Sequence, residues 1–262
     1  MDDTDQPDVV LSGEVRMPLL GFGTWQATGR AGYDAVLAAL DAGYRHLDTA
    51  TMYGNEQEVG RAVRDSGLRR EDVFVTTKIP AREAGRERQV LEASLAALDT
   101  DHVDLWLIHS PPRSPAESTA MWRELLAVRD EGLARAVGVS NYSTPQLDEL
   151  IQATAEAPVV NQIRWGPALY DAGRLAEHRE RGIVLEGYSP FKSTDLGDPV
   201  LARIAAAHGV TPAQVVLRWH VEHGIPVIPK SVTPDRIRAN ADIFTFSLTP
   251  DEVSDVQGGG PS

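Results

Sequence analysis

From Val73 to His109 the chain reads VFVTTKIPAREAGRERQVLEASLAALDTDHVDLWLIH. Its two ends, VFVTTK (Val73 to Lys78) and VDLWLIH (Val103 to His109), are short runs of apolar and β-branched residues bounded by polar segments, the pattern of buried strands. Between them, Glu87 to Leu98 repeats its apolar residues at helical spacing. A strand, a helix and a second strand in that order make a crossover, and crossovers join parallel strands.

The same alternation extends in both directions. Upstream, LLGFG is a short apolar run, Ala31 to Ala42 is helical and closes on Gly43, RHLD is a short strand, and Asn55 can cap a helix running to about Ser66. Downstream, Pro115 to Arg129 is helical, ARAVGVS is a strand, and Pro145 opens another helix. VVNQI, the helix Ala172 to Arg181 and the strand IVLEGYS follow. Helices over Pro199 to His208 and Pro212 to His223, the short strand IPVIPK and a helix over Pro234 to Asp242 complete the series. Roughly eight strand–helix units at this length fit a (β/α)8 TIM barrel better than an open sheet. The reading is one domain over residues 1–262, with short mobile tails at about 1–7 and 257–262. VVLSGEVRMP (Val9 to Pro18), turning at Ser12-Gly13, reads as a β-hairpin closing the bottom of the barrel.

Composition narrows the class. With 25 Lys and Arg against 38 Asp and Glu, the net charge is −13, which disfavours nucleic acid and anionic membrane surfaces as partners. There is no cysteine, so disulfides, thiolate catalysis and Cys-ligated zinc are excluded. The acidic start MDDTDQPDVV has no apolar signal region, and no run approaches the ~18 apolar residues of a membrane span, so a cytoplasmic protein is expected. No metal site is expected: His46, His102, His178, His208, His220 and His223 show no ligand spacing with nearby carboxylates.

A barrel places its chemistry at the C-terminal ends of its strands. Asp48, Lys78, His109, Ser140, Asn141, Gln162, Tyr188 and Lys230 stand at those ends, and Tyr53 lies in the loop after Asp48. Singly, each has an ordinary reading as a loop carboxylate, a solvated cation, a buried imidazole or a core aromatic. Jointly they bring a carboxylate, a phenol, an ammonium and an imidazole to one pocket. A tyrosine titrates near ~10 and is a poor acid at neutral pH, but an adjacent ammonium favours the phenolate. A lowering of ~2 units corresponds to about 2.7 kcal/mol. Lys78 is placed to act on Tyr53 in this way, Asp48 to hold Lys78, and His109 to orient a carbonyl. The set suits protonation of an oxygen gaining negative charge, as in hydride delivery to a carbonyl.

GFGTW, LDTATMYGNE, TTK, LIH, GVSNY, VNQ, GYSPF and IPKSVTPDRI occur in this order over nearly the whole chain. They resemble the aldo-keto reductase family of NAD(P)H-dependent barrel oxidoreductases, and most closely its bacterial diketogluconate-reductase-like branch. The resemblance implies a catalytic tetrad of Asp48, Tyr53, Lys78 and His109, with Tyr53 the general acid. It implies that Gly23, Thr24 and Trp25 lie under the nicotinamide, where Asp48 also borders the cofactor. Ser140, Asn141 and Gln162 would bond the carboxamide, and Tyr188 would stack on the ring. Ser189, Pro190 and Phe191 would begin the loop along the pyrophosphate. Lys230, Ser231, Val232, Thr233 and Arg236 would hold the 2′-phosphate, and Asn240 the adenine, favouring NADP(H) over NAD(H). A Lys-Ser followed by an Arg at a helix start is independently a good phosphate grip. Trp25, Tyr53, His109 and Ser110 would line the substrate pocket. The resemblance also implies a monomer acting on a small-molecule carbonyl.

The chain departs from the family pattern at Ser110, where a Trp is usual, at Arg164-Trp165-Gly166-Pro167, and at Ala239 beside the adenine contact. It also ends soon after Thr249-Pro-Asp-Glu. Ser110 and the short end imply an open pocket that accepts bulky or varied carbonyls. Two rival readings stand beside the reductase: a cofactor-binding redox sensor without significant turnover, and a Schiff-base aldolase using Lys78.

Overall fold

The computed structural model describes residues 6–11, 15–192 and 194–258. Strands β1 (Asp8–Val10) and β2 (Arg16–Pro18) form an antiparallel pair. The expected turn at Ser12-Gly13 lies outside the described residues. Eight parallel strands then follow in chain order: β3 (Phe22–Gly23), β4 (His46–Asp48), β5 (Phe74–Ile79), β6 (Val103–Ile108), β7 (Ala134–Ser140), β8 (Val160–Arg164), β9 (Val184–Tyr188) and β10 (Val227–Ile228). A parallel bridge between Leu20 and Val227 closes the ring, reinforced by donation from Val227 N–H to Leu19 O at 2.8 Å and from Gly21 N–H to Val227 O at 2.9 Å. The architecture is the expected (β/α)8 barrel.

Helices α1 (Gly29–Asp41), α2 (Glu56–Asp65), α3 (Glu87–Leu98), α4 (Pro115–Asp130), α5 (Thr144–Thr154), α6 (Ala172–Glu180), α7 (Pro199–His208), α8 (Pro212–Glu222) and α9 (Pro234–Ala241) surround it. Several of their starts are capped by side chains. Ser114, Asp198 and Thr211 each accept a backbone N–H of the next turn, and Pro begins α4, α7 and α8. One helix was not legible: α10 (Pro250–Gly258) runs into the segment read as a tail, and Val256 packs it onto a core cluster with Trp165 and Trp219. Among the described residues no single helix is long and apolar enough to cross a membrane.

Strand alternation sorts the side chains into two layers. Leu47, Val75, Trp106, Ile108, Val137 and Val139 point outward and meet the helices in the main core cluster. The period of two therefore turns their neighbours inward. At the bottom, Leu11, Val15 and Met17 from the hairpin region pack with Phe74, Leu105, Leu107, Ala136 and Val160, so the hairpin plugs that end. Above this apolar floor the inward residues become polar: His46, Thr76 and Glu186, then Asp48, Lys78, Gln162 and Ser140, all buried. The barrel thus separates an apolar floor that stabilises it from a polar upper end where chemistry is possible.

Candidate active site

The two highest inward positions of β4 and β5 meet directly. Lys78 Nζ donates to Asp48 Oδ1 at 2.6 Å and to Thr49 O at 2.8 Å. Burial works against the Lys78 ammonium, but Asp48 and Tyr53 outweigh it, and its pKa lies above the usual lysine value. Lys78 is thereby held charged and in place.

Tyr53 reaches the same spot from the loop after β4. A short 3-10 turn, Thr51–Tyr53, ends at Gly54 with φ 64°, a left-handed conformation that suits glycine. Behind it, Asn55 was expected to cap α2. It stands at the cap position, but its side chain does other work. Its Nδ2 donates to Thr24 O and Ala27 O, both at 2.8 Å, and its Oδ1 accepts from Thr49 Oγ1 at 2.7 Å. These three bonds tie the loop after β3 to the loop that carries Tyr53.

Lys78 Nζ lies 5.1 Å from the centroid of the Tyr53 ring, whose edge-to-face neighbour is His109 at 5.7 Å. Lys78 was expected to lower the Tyr53 pKa on balance. Here burial, the larger effect, pushes the phenol above its usual range while Lys78 pulls the other way. A phenolate without water around it is costly even beside an ammonium. Burial and the Lys78 charge together take the His109 imidazole down to about 4, so it is neutral at pH 7. Its Nδ1 is buried with no partner among the described residues, which leaves Nε2 as the nitrogen open to the cavity.

The cavity is about 320 Å³. Gly23, Trp25, Asp48, Tyr53 and His109 line one part of it, and Ser140, Asn141, Gln162, Tyr188, Ser189 and Lys230 another. On that second wall the polar groups are already coupled. Ser140 Oγ donates to Gln162 O at 2.8 Å, Asn141 Nδ2 donates to Ser140 Oγ at 2.9 Å, and Tyr188 OH donates to Asn141 Oδ1 at 2.8 Å.

A scan of known families matches residues 19–258 to the aldo/keto reductase family. The chain belongs to the aldo-keto reductase family. It is 46% identical over 242 residues to 2,5-diketo-D-gluconic acid reductase B of a Corynebacterium species, covering 91% of this chain and 87% of that one. It is 40% identical over 253 residues to a methylglyoxal reductase of Yersinia pestis, covering 95% and 91%. An aldo/keto reductase crystal structure from Brucella melitensis superposes with a TM-score of 0.93 at 40% identity, covering 97% of this chain and 99% of the other.

Several of the residues matched to the family motifs lie away from the cavity of this aldo-keto reductase. Thr24 is buried and donates its hydroxyl to Asp48 O at 2.9 Å, a structural bond. Phe191 packs against the core, and Pro190 is not among the lining residues. Half-buried Ser231 and exposed Val232 and Thr233 lead into α9, exposed Arg236 lies in its first turn, and Asn240 is buried on that helix. Ser110 is exposed and contributes no wall. The departure at Trp165 is absorbed by packing, since its ring is buried and lies edge-on to Tyr170 at 6.3 Å. Sequence reasoning missed three lining residues, Met52, Ile228 and Lys192. Lys192 sits over the Trp25 ring, 4.5 Å from its centroid, joining two loops across the mouth. No local pattern announces such a contact between loops so far apart in the chain.

Proposed function

We propose that this chain reduces aldehydes and ketones to alcohols with NADPH, Tyr53 acting as the general acid. The observation that carries the reading is the convergence of Tyr53 and His109, rings 5.7 Å apart on one cavity, over the buried Lys78–Asp48 pair. The residues present fit the cofactor. Gln162, Asn141 and Ser140 offer amide and hydroxyl groups, and Tyr188 a half-buried ring, at the same cavity. Lys230 and Arg236 have no carboxylate partner among the described residues, on a chain of net charge −13, and Arg236 lies in the first turn of α9. Unpaired cations beside a helix start support binding of a 2′-phosphate, and so NADPH over NADH.

Bound NADPH would supply the hydride. Tyr53 keeps its proton until charge gathers on the carbonyl oxygen, because burial holds the phenol in its neutral form. As that proton leaves, the Lys78 ammonium stabilises the phenolate left behind. Neutral His109 orients the carbonyl through Nε2 and does not compete as an acid. Exposed Trp25 and Met52 edge the mouth, and Ser110 adds no bulk. This supports acceptance of varied carbonyls, bulky ones included.

The test is loss of NADPH absorbance with 2,5-diketogluconate, methylglyoxal and a series of larger aldehydes and diketones, repeated with NADH. Turnover that prefers NADPH is expected. Cofactor binding with no turnover of any carbonyl overturns the reading in favour of a sensor. Activity confined to the smallest aldehydes overturns the open pocket alone.

A further inference from the structure

One layer below the cavity the barrel holds a carboxyl for which the reaction has no use. Glu186 points inward from β9 and is wholly buried. Its Oε2 accepts from Gln162 Nε2 at 2.9 Å, and the same nitrogen donates to Asp48 Oδ2 at 2.8 Å. A primary amide has two N–H hydrogens, and these two carboxyl groups take both. The other end of the amide, Oε1, makes no hydrogen bond among the described residues and is not sealed off from the cavity that Gln162 lines. Turned over, the amide would set its oxygen against the Asp48 carboxylate and give up the hydrogen it donates to each carboxyl group.

Asp48 alone would leave the amide free to turn about a single hydrogen bond. A second acceptor, on the neighbouring strand at the paired register position Gln162–Glu186, fixes its plane. The site bears a cost for that acceptor. Glu186 Oε1 is buried with no hydrogen-bond partner among the described residues, and His46 Nε2 is 3.8 Å away. A residue present only for packing would not carry an unsatisfied buried oxygen.

We propose that Glu186 is a positioning residue for the cofactor: by taking one hydrogen of the Gln162 amide, it leaves Oε1 facing the cavity as an acceptor for a ligand N–H, as in the nicotinamide carboxamide. The inference rests on the NADP reading above. It deepens that reading by stating which end of Gln162 is read and which buried group decides it.

The test compares binding of NADP+ and of its 3-acetylpyridine analogue, in which a methyl replaces the carboxamide NH2. Kd is read by quenching of tryptophan fluorescence in the wild type, Glu186→Leu and Glu186→Gln. Losing the aligned hydrogen bond is expected to weaken NADP+ binding to Glu186→Leu by about five- to tenfold. The analogue, which has no N–H to lose, should bind that variant as it binds the wild type. Glu186→Gln keeps an acceptor oxygen and should bind NADP+ as the wild type does. An equal loss for both ligands, or no loss for either, overturns the inference while leaving the cofactor reading intact. A wild type that binds neither ligand overturns both. Should Glu186→Leu fail to fold, Glu186→Met, closer in volume, gives the same comparison.

Discussion

Lys78 Nζ stands 2.6 Å from Asp48 Oδ1, and neither side chain is more than 2% exposed. Two opposite charges withdrawn from water depend on each other, and removing one partner of such a pair costs about 3–5 kcal/mol. Asp48→Asn is therefore expected to lower the melting temperature clearly, because Lys78 would be left buried without a counter-charge. Thermal denaturation followed by circular dichroism checks this. A melting temperature equal to that of the wild type would mean that water or another group solvates Lys78.

Tyr53→Phe removes the phenolic proton and little else, since the ring keeps its edge contact with His109. Carbonyl reduction is expected to fall by at least about a hundredfold. NADPH affinity should stay within about twofold, as a single lost phenol contact away from the phosphates changes binding little. Steady-state rates and a fluorescence titration on the same preparation separate the two effects. Unchanged turnover would remove Tyr53 from its role.

Arg236 is exposed at the start of α9 with no ion-pair partner among the described residues. If it grips a 2′-phosphate, Arg236→Ala should weaken NADPH binding about tenfold or more and leave NADH binding unchanged. An equal effect on both cofactors would point to a structural role for the arginine.

Two buried groups set opposite pH limits on stability. Burial takes His46 from its ordinary value of 6.5 down to about 4, so the stability of its neutral form is complete above 6.5 and is lost as pH falls toward 4. Burial and then the Asp48 charge push Glu186 from 4.5 up to about 8, so its contribution is complete below 4.5 and is lost as pH rises toward 8. Asp48, Lys78, His46 and the Gln162 amide are the groups facing that carboxyl. Glu186→Gln cannot ionise and should flatten the alkaline side. Its melting temperature is expected to gain on the wild type between pH 5 and about 8, then run parallel to it. A constant offset at every pH would show that Glu186 titrates in the ordinary range.

Asn55→Ala would strand the Ala27 carbonyl and the Thr49 hydroxyl in a buried place, while the Thr24 carbonyl would keep its bond from Ala27 N–H. At about 1–3 kcal/mol for each unsatisfied group, the melting temperature should drop by several degrees. Because these bonds tie the Tyr53 loop to the loop after β3, kcat should fall more than NADPH affinity. Equal kinetics in wild type and variant would confine Asn55 to stability.

The alternation of strand and helix was legible because each strand is buried on both faces and each helix on one. That is why the helices over Glu87–Leu98 and Pro199–His208 stand where periodicity placed them. α10 was not legible, since its nine residues bury only Val256 and carry three acidic side chains. The convergence of Asp48, Tyr53, Lys78 and His109 was legible from their strand-end and loop positions. The direction of the Tyr53 shift was not, because burial and a neighbouring charge oppose each other and only coordinates weigh them.

Sequence alone determined the barrel, the polar ends of its strands and the family, for these follow from periodicity and from motifs local to one strand or one turn. Tertiary structure alone decided which of those ends touch. Gln162 meets Asp48 across 114 positions in the chain and Glu186 across 24. A period of two turns each of these residues inward, but it does not state their height. Height is decided by how far each strand is staggered when the sheet closes on itself, and closure is a property of the whole ring rather than of any strand.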